Sequence, residues 1–174
     1  MKSARVAVPL MALALFAGCG TPTGSTAFQV DGQTTRISQV EDSAKGCAGI
    51  IQQDATMIKP QVANMLLMKE LARGAAQATR VEITPAMRAE ALKQLQGEPL
   101  LANPECAAAV NGFADYAALA QKLGKEKLST AIKGLDVQVN PVFGTWDRDK
   151  GAFASSSGSL SMEDLGQGKV FGGQ

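Results

Sequence analysis

The side chains best suited to chemistry are three cysteines, Cys19, Cys47 and Cys106, and no histidine accompanies them anywhere in the 174 residues. Without imidazole the chain lacks the usual general base, the commonest zinc ligand and any Cys–His or Ser–His pair. The acids do not fill the gap. Glu82, Glu90 and Glu98 do not share a helical face as a working carboxylate pair should. Asp147, Asp149, Glu163 and Asp164 miss the spacing of a calcium loop. Ser155, Ser156 and Ser157 have no base partner and read as linker. The expectation is a protein that is not an enzyme, with no catalytic residue, no metal and no cofactor.

Cys19 sits in a different setting from the other two. Lys2 and Arg5 form a short basic lead, and residues 6–17 form an apolar run interrupted by Pro9. That run is a secretory signal, too short for a stable membrane span. It ends Leu15-Phe16-Ala17-Gly18-Cys19, the pattern of a bacterial lipobox, with Phe16 where leucine is usual. In such signals a diacylglycerol is joined to the cysteine thiol and the preceding peptide, residues 1–18, is removed. Cys19 is then the lipid-bearing first residue, placing the protein on the extracytoplasmic face of the cell membrane. The alternative is an ordinary cleaved signal ending Ala17-Gly18, with Cys19 incidental.

Export also bears on Cys47 and Cys106. Outside the membrane a disulfide is permitted, and a loop of this size is worth about 4 kcal/mol on the chain-entropy account. The competing reading is two separate buried thiols acting as small apolar residues. Removing Lys2 and Arg5 with the signal leaves 15 basic residues from 17, against 16 acidic ones. No basic field remains to attract nucleic acid. The rest of the composition, rich in Ala, Leu and Met with 5% aromatics, suits helices in one domain with a modest core.

The elements that must position these residues are legible in order. Residues 19–26, rich in Gly, Pro, Ser and Thr, read as a flexible tether. Residues 28–37 read as a hairpin about the primed-type turn Asp31-Gly32. Ser38 and Glu41 form a capping box that opens a helix carrying Val40, Ala44, Cys47 and Ile51 on one face, in which Gly46 and Gly49 allow close approach. A wide apolar helix is expected from about Pro60. Thr84-Pro85 and Asn103-Pro104 repeat a cap-then-proline signal for two further helices, and Gly124 and Gly134 bound a short last one. Residues 135–139 alternate as a strand able to pair with the N-terminal hairpin. The stretch 148–174 is expected to be a disordered tail.

Three signatures in order resemble a known group. They are Val30-Asp31-Gly32 with Ile37-Ser38-Gln39-Val40, then Val81-Glu82-Ile83-Thr84-Pro85, then Val137-Gln138-Val139-Asn140-Pro141-Val142-Phe143-Gly144-Thr145-Trp146-Asp147. The pattern is similar to the SurA N-terminal-domain lipoproteins of high-GC Gram-positive bacteria, and more widely to the chaperone modules of SurA, PrsA-type foldases and trigger factor. It covers residues 27–147. The resemblance implies a mostly α domain, SurA-N-like, with a small β element pairing the N-terminal hairpin and the C-terminal strand. It also implies a shallow apolar cradle that holds unfolded or partly folded secreted proteins. Relatives that catalyse prolyl isomerisation carry a parvulin domain with histidines, which this chain lacks.

On that reading the candidate peptide-binding residues are Met57, Met65, Met68, Met87, Tyr116 and Trp146. Thioethers adapt to many apolar sequences, and Met68, off the main stripe, is the methionine expected to be exposed. Each methionine also fits core packing. Trp146 fits either a lid on the cradle or a wedge packing the tail against the helices. The expected partners are exported polypeptides and, through lipid, the membrane, with no nucleic acid and no small-molecule substrate. A scaffold docking one envelope protein is the alternative.

Overall fold

The computed structural model describes residues 22, 24–150 and, for the backbone, 152–154. The signal at 1–18, the proposed lipid site Cys19 and most of the tail lie outside the described residues. The chain opens with the antiparallel strands β1 (Thr26–Val30) and β2 (Gln33–Arg36). Asp31 and Gly32 both adopt positive φ, 46° and 78°, as a primed turn requires. Five α-helices follow: α1 (Ile37–Ile51), α2 (Ala55–Thr79), α3 (Pro85–Gln94), α4 (Pro104–Leu123) and α5 (Lys125–Lys133). Strand β3 (Val137–Val139) then returns antiparallel to β1, giving the order β2-β1-β3. The domain is thus mostly helical with a small sheet joining the hairpin to the C-terminal strand, as the sequence predicts.

The two cap-then-proline helix starts, Thr84-Pro85 and Asn103-Pro104, occur where expected. The Thr84 hydroxyl accepts the Met87 N–H at 3.3 Å. Asn103 Oδ1 accepts from the Glu105 and Cys106 N–H groups at 3.0 and 3.1 Å. Two other starts move. Helix α1 begins at Ile37, where Gln39 Oε1 takes the Arg36 N–H at 2.7 Å, so the capping pair is not Ser38 with Glu41. Helix α2 begins at Ala55, not near Pro60. The Asp54 carboxylate accepts the Thr56 N–H at 2.7 Å and caps an earlier turn, which also buries Ile58. Pro60 therefore sits inside the helix, at the cost of one backbone hydrogen bond.

Helix α4 is the centre of the bundle, packed by α1, α2, α3 and α5. Two glycines let its neighbours close in. A Cβ on Gly112 would stand 2.3 Å from Lys69 Cβ of α2, and one on Gly46 of α1 would stand 2.3 Å from Asn103 Oδ1. A Cβ on Gly49 would meet nothing within 4 Å, so that glycine serves no close approach. Beside Gly46, Cys47 and Cys106 form a disulfide, with Cα atoms 4.7 Å apart. Both sulfurs belong to buried residues, and the bridge ties α1 to the first turn of α4.

Two expectations about the chain's margins are corrected. Pro22 is buried and Thr26 already lies in β1, so the domain begins inside the stretch 19–26 and that stretch is not a free tether along its whole length. Strand β4 (Thr145–Asp147) pairs antiparallel with β5 (Ala152–Ala154), so the stretch just beyond 147 is a hairpin. Hairpin turns of polar residues carry no hydrophobic periodicity, and strands of three residues, with Trp146 opposite Phe153 in register, are too short to show one.

Candidate functional site

Strand β3 is set in place by a reciprocal pair of bonds. The Asp31 N–H donates to the Asp136 carbonyl, and the Asp136 N–H donates to Asp31 Oδ1, each at 2.9 Å. Leu135, just before, buries its methyls against Gly74 of α2, where any Cβ would come within 3.0 Å. At the far end the Asn140 N–H donates to the Ala27 carbonyl at 2.8 Å. Its side chain donates to the Thr26 carbonyl at 2.9 Å and accepts the Val142 N–H at 3.1 Å. The chain makes a 3-10 turn at Pro141–Phe143, reverses at Gly144 (φ 122°) and enters β4.

Between β3 and β4 lies a groove of about 410 Å³, whose walls include Leu135, Val137, Val139, Pro141, Trp146 and Arg148. Strand β3 is an edge of its sheet. Because Asp136 and Asn140 bond to the β1 side, the alternation of an antiparallel pair turns the backbone groups of Val137 and Val139 the other way, to the outer edge. The outer wall is stiffened at the β4–β5 turn. There the Asp147 carboxylate accepts from the Asp149 and Lys150 N–H groups at 3.0 and 3.1 Å. The Lys150 N–H is the main reason that carboxyl is held below the usual aspartate range.

The six candidate contact residues do not form one surface. Met65 and Met68 are 5% and 2% exposed. They face the core of the bundle, so neither lines an open cradle, and Met68 is the reverse of the exposed methionine expected. The width of the apolar arc on α2 reflects helices on more than one side of it, α1, α4 and α5. Met87 and Tyr116 are half-buried against the core, and burial pushes the Tyr116 phenol up from its ordinary pKa. Met57 is open to solvent. Of the six, Trp146 alone lines the groove, half-buried and packed against the core. Val137, Val139 and Arg148 were not candidates. The signal available for them was the position of residues 137–139 as the last strand to join, which leaves it on an edge.

The walls offer a ligand apolar side chains, main-chain groups and the polar side chains of Asp136, Gln138, Thr145 and Arg148. Among the described residues no cluster of three His, Cys, Asp or Glu is arranged to hold a metal ion, and no helix is long and apolar enough to cross a membrane. Comparison with family models, with curated proteins and with solved structures finds no match to this chain.

Proposed function

We propose that this chain is a lipid-anchored extracytoplasmic protein that holds apolar segments of exported polypeptides, in the manner of a SurA-type N-terminal module. The observation that carries the reading is the groove of about 410 Å³ beside the outer edge of β3. A holding protein must accept many sequences. Main-chain bonding along an edge strand is indifferent to sequence, and an extended segment laid beside Val137 and Val139 gains it while resting apolar side chains on Trp146. Burial of this kind is weak and reversible; a micromolar affinity corresponds to about −8 kcal/mol. The Leu15–Cys19 lipobox and the Cys47–Cys106 disulfide support the extracytoplasmic part.

One observation favours a narrower role. Strand β3 is three residues long, which suits one short motif of a single envelope partner as well as a range of clients. Recovery of one stoichiometric partner from membranes supports the scaffold; a broad set of weakly held exported chains supports the holding protein.

The test is suppression of aggregation of an unfolded secreted protein by the full chain carrying Cys19→Ser. Val137→Asp sets a charge in the groove and is expected to abolish suppression while leaving the melting temperature within a few degrees. A Val137→Asp protein that folds and suppresses aggregation as well as its parent overturns the groove as the site.

A further inference from the structure

Pro22, three residues beyond Cys19, is already buried. Three residues of extended chain reach at most about 10 Å. A lipid on Cys19 therefore holds the neighbouring face of the domain against the bilayer, without a long spacer between them. That face is identifiable. Thr26 and Ala27, the first residues of β1, accept the Asn140 side-chain and backbone N–H groups at 2.9 and 2.8 Å. The start of the domain is thus stitched to the loop that follows β3. At the tip of that loop Val142 is 79% exposed, and Met57 near the start of α2 is 75% exposed. These are the two large apolar side chains that the described residues leave in water. The start of α2 lies beside this loop, because Lys59 places its Nζ 5.9 Å from the centre of the Phe143 ring; Met57, two residues before Lys59 on the helix, does not share that face.

We infer that this end, built from Pro141–Phe143, is a bilayer-contact face: Val142 enters the boundary between headgroups and acyl chains beside the anchor. The inference rests on the lipid-anchor reading of Cys19. Lys59 is already paired with Glu41 at 2.8 Å, so its charge is offset, and the face offers lipid the uncharged Val142 side chain. Its contact with lipid is therefore independent of anionic headgroups and of salt. Pro141 belongs both to this face and to the rim of the groove beside β3, whereas Val137 and Trp146 line the groove and Val142 does not.

The test uses the full acylated chain, purified from membranes and reconstituted in phosphatidylcholine vesicles. With Cys47 and Cys106 joined and Cys19 acylated, Val142→Cys introduces a free thiol for a fluorophore. Glu90→Cys on α3, which packs on α4 and away from the sheet, is the comparison. Spin-labelled acyl chains are expected to quench the label at 142 several-fold more than the label at 90, equally at low and high salt. Retention in the vesicles with equal quenching at both sites overturns the contact face and leaves the anchor standing. A label at 142 that lipid does not quench but that is shielded from aqueous iodide indicates a protein neighbour there, and also overturns it. Loss of the protein from the vesicle fraction refutes the anchor itself, and the contact face with it.

Discussion

Two glycines three residues apart in α1 should respond to the same substitution with opposite signs. On intrinsic propensity alone, Gly→Ala inside an exposed helix gains about 1 kcal/mol. Gly49 has open space where its Cβ would be, so Gly49→Ala should realise most of that gain. At Gly46 the new methyl would stand 2.3 Å from Asn103 Oδ1 and 3.1 Å from the Cys106 nitrogen. Asn103 could swing aside, but its oxygen is the cap of α4, accepting two N–H groups at 3.0 and 3.1 Å. Losing a cap costs about 1 kcal/mol. The Cys106 backbone cannot move aside, because the disulfide next to Gly46 holds the two helices together, and overpacking such a contact costs about 1–3 kcal/mol. Against the propensity gain, the net for Gly46→Ala is a loss of about 1–3 kcal/mol. Urea unfolding of both variants with the disulfide intact is the assay, with equal m-values showing that the native state alone has changed. If both substitutions stabilise by the same amount, α1 and α4 are not in close contact at Gly46 and the packing described for the bundle centre is wrong.

Two further outcomes follow from the same contacts. Cys47→Ala with Cys106→Ala opens a loop of sequence separation 59 and should lower stability by about 4 kcal/mol, read as a fall in urea midpoint that reductant reproduces in the parent; a parent indifferent to reductant would show that the bridge is not formed. Acid should loosen the α1–α2 corner. Lys59 holds Glu41 below the ordinary glutamate range, chiefly by its hydrogen bond, and the Thr56 hydroxyl does the same for Asp54. A carboxyl held low in the folded state stabilises above its ordinary value, and that contribution is lost as pH falls through the lower folded one. The urea midpoint should therefore be flat from about pH 7 to 5 and drop below about 4, with a shallower drop in Asp54→Asn; an unchanged profile in that variant removes Asp54 from the account.

What the sequence determined by itself are the features written within a few residues. Thr84-Pro85 and Asn103-Pro104 open helices because a side-chain oxygen satisfies N–H groups two or three positions on, whatever packs nearby. Asp31-Gly32 turns because those residues tolerate positive φ. The apolar positions of α1 and α4 mark their buried faces, and these local signals together specify a mostly helical chain with a small sheet. The tertiary structure decided everything that needs a partner distant in sequence. It placed Met68 inside, since exposure on α2 depends on which helices lie around it. It carried α2 back past Pro60 to the Asp54 cap, and it paired Trp146 with Phe153 across a turn that the sequence marks only by polar residues and a glycine. It joined Cys47 to Cys106 because Gly46 lets α1 reach Asn103. The groove beside β3 belongs to the same class: no residue in it has an unusual type, and it exists because a three-residue strand came to rest at the rim of the sheet.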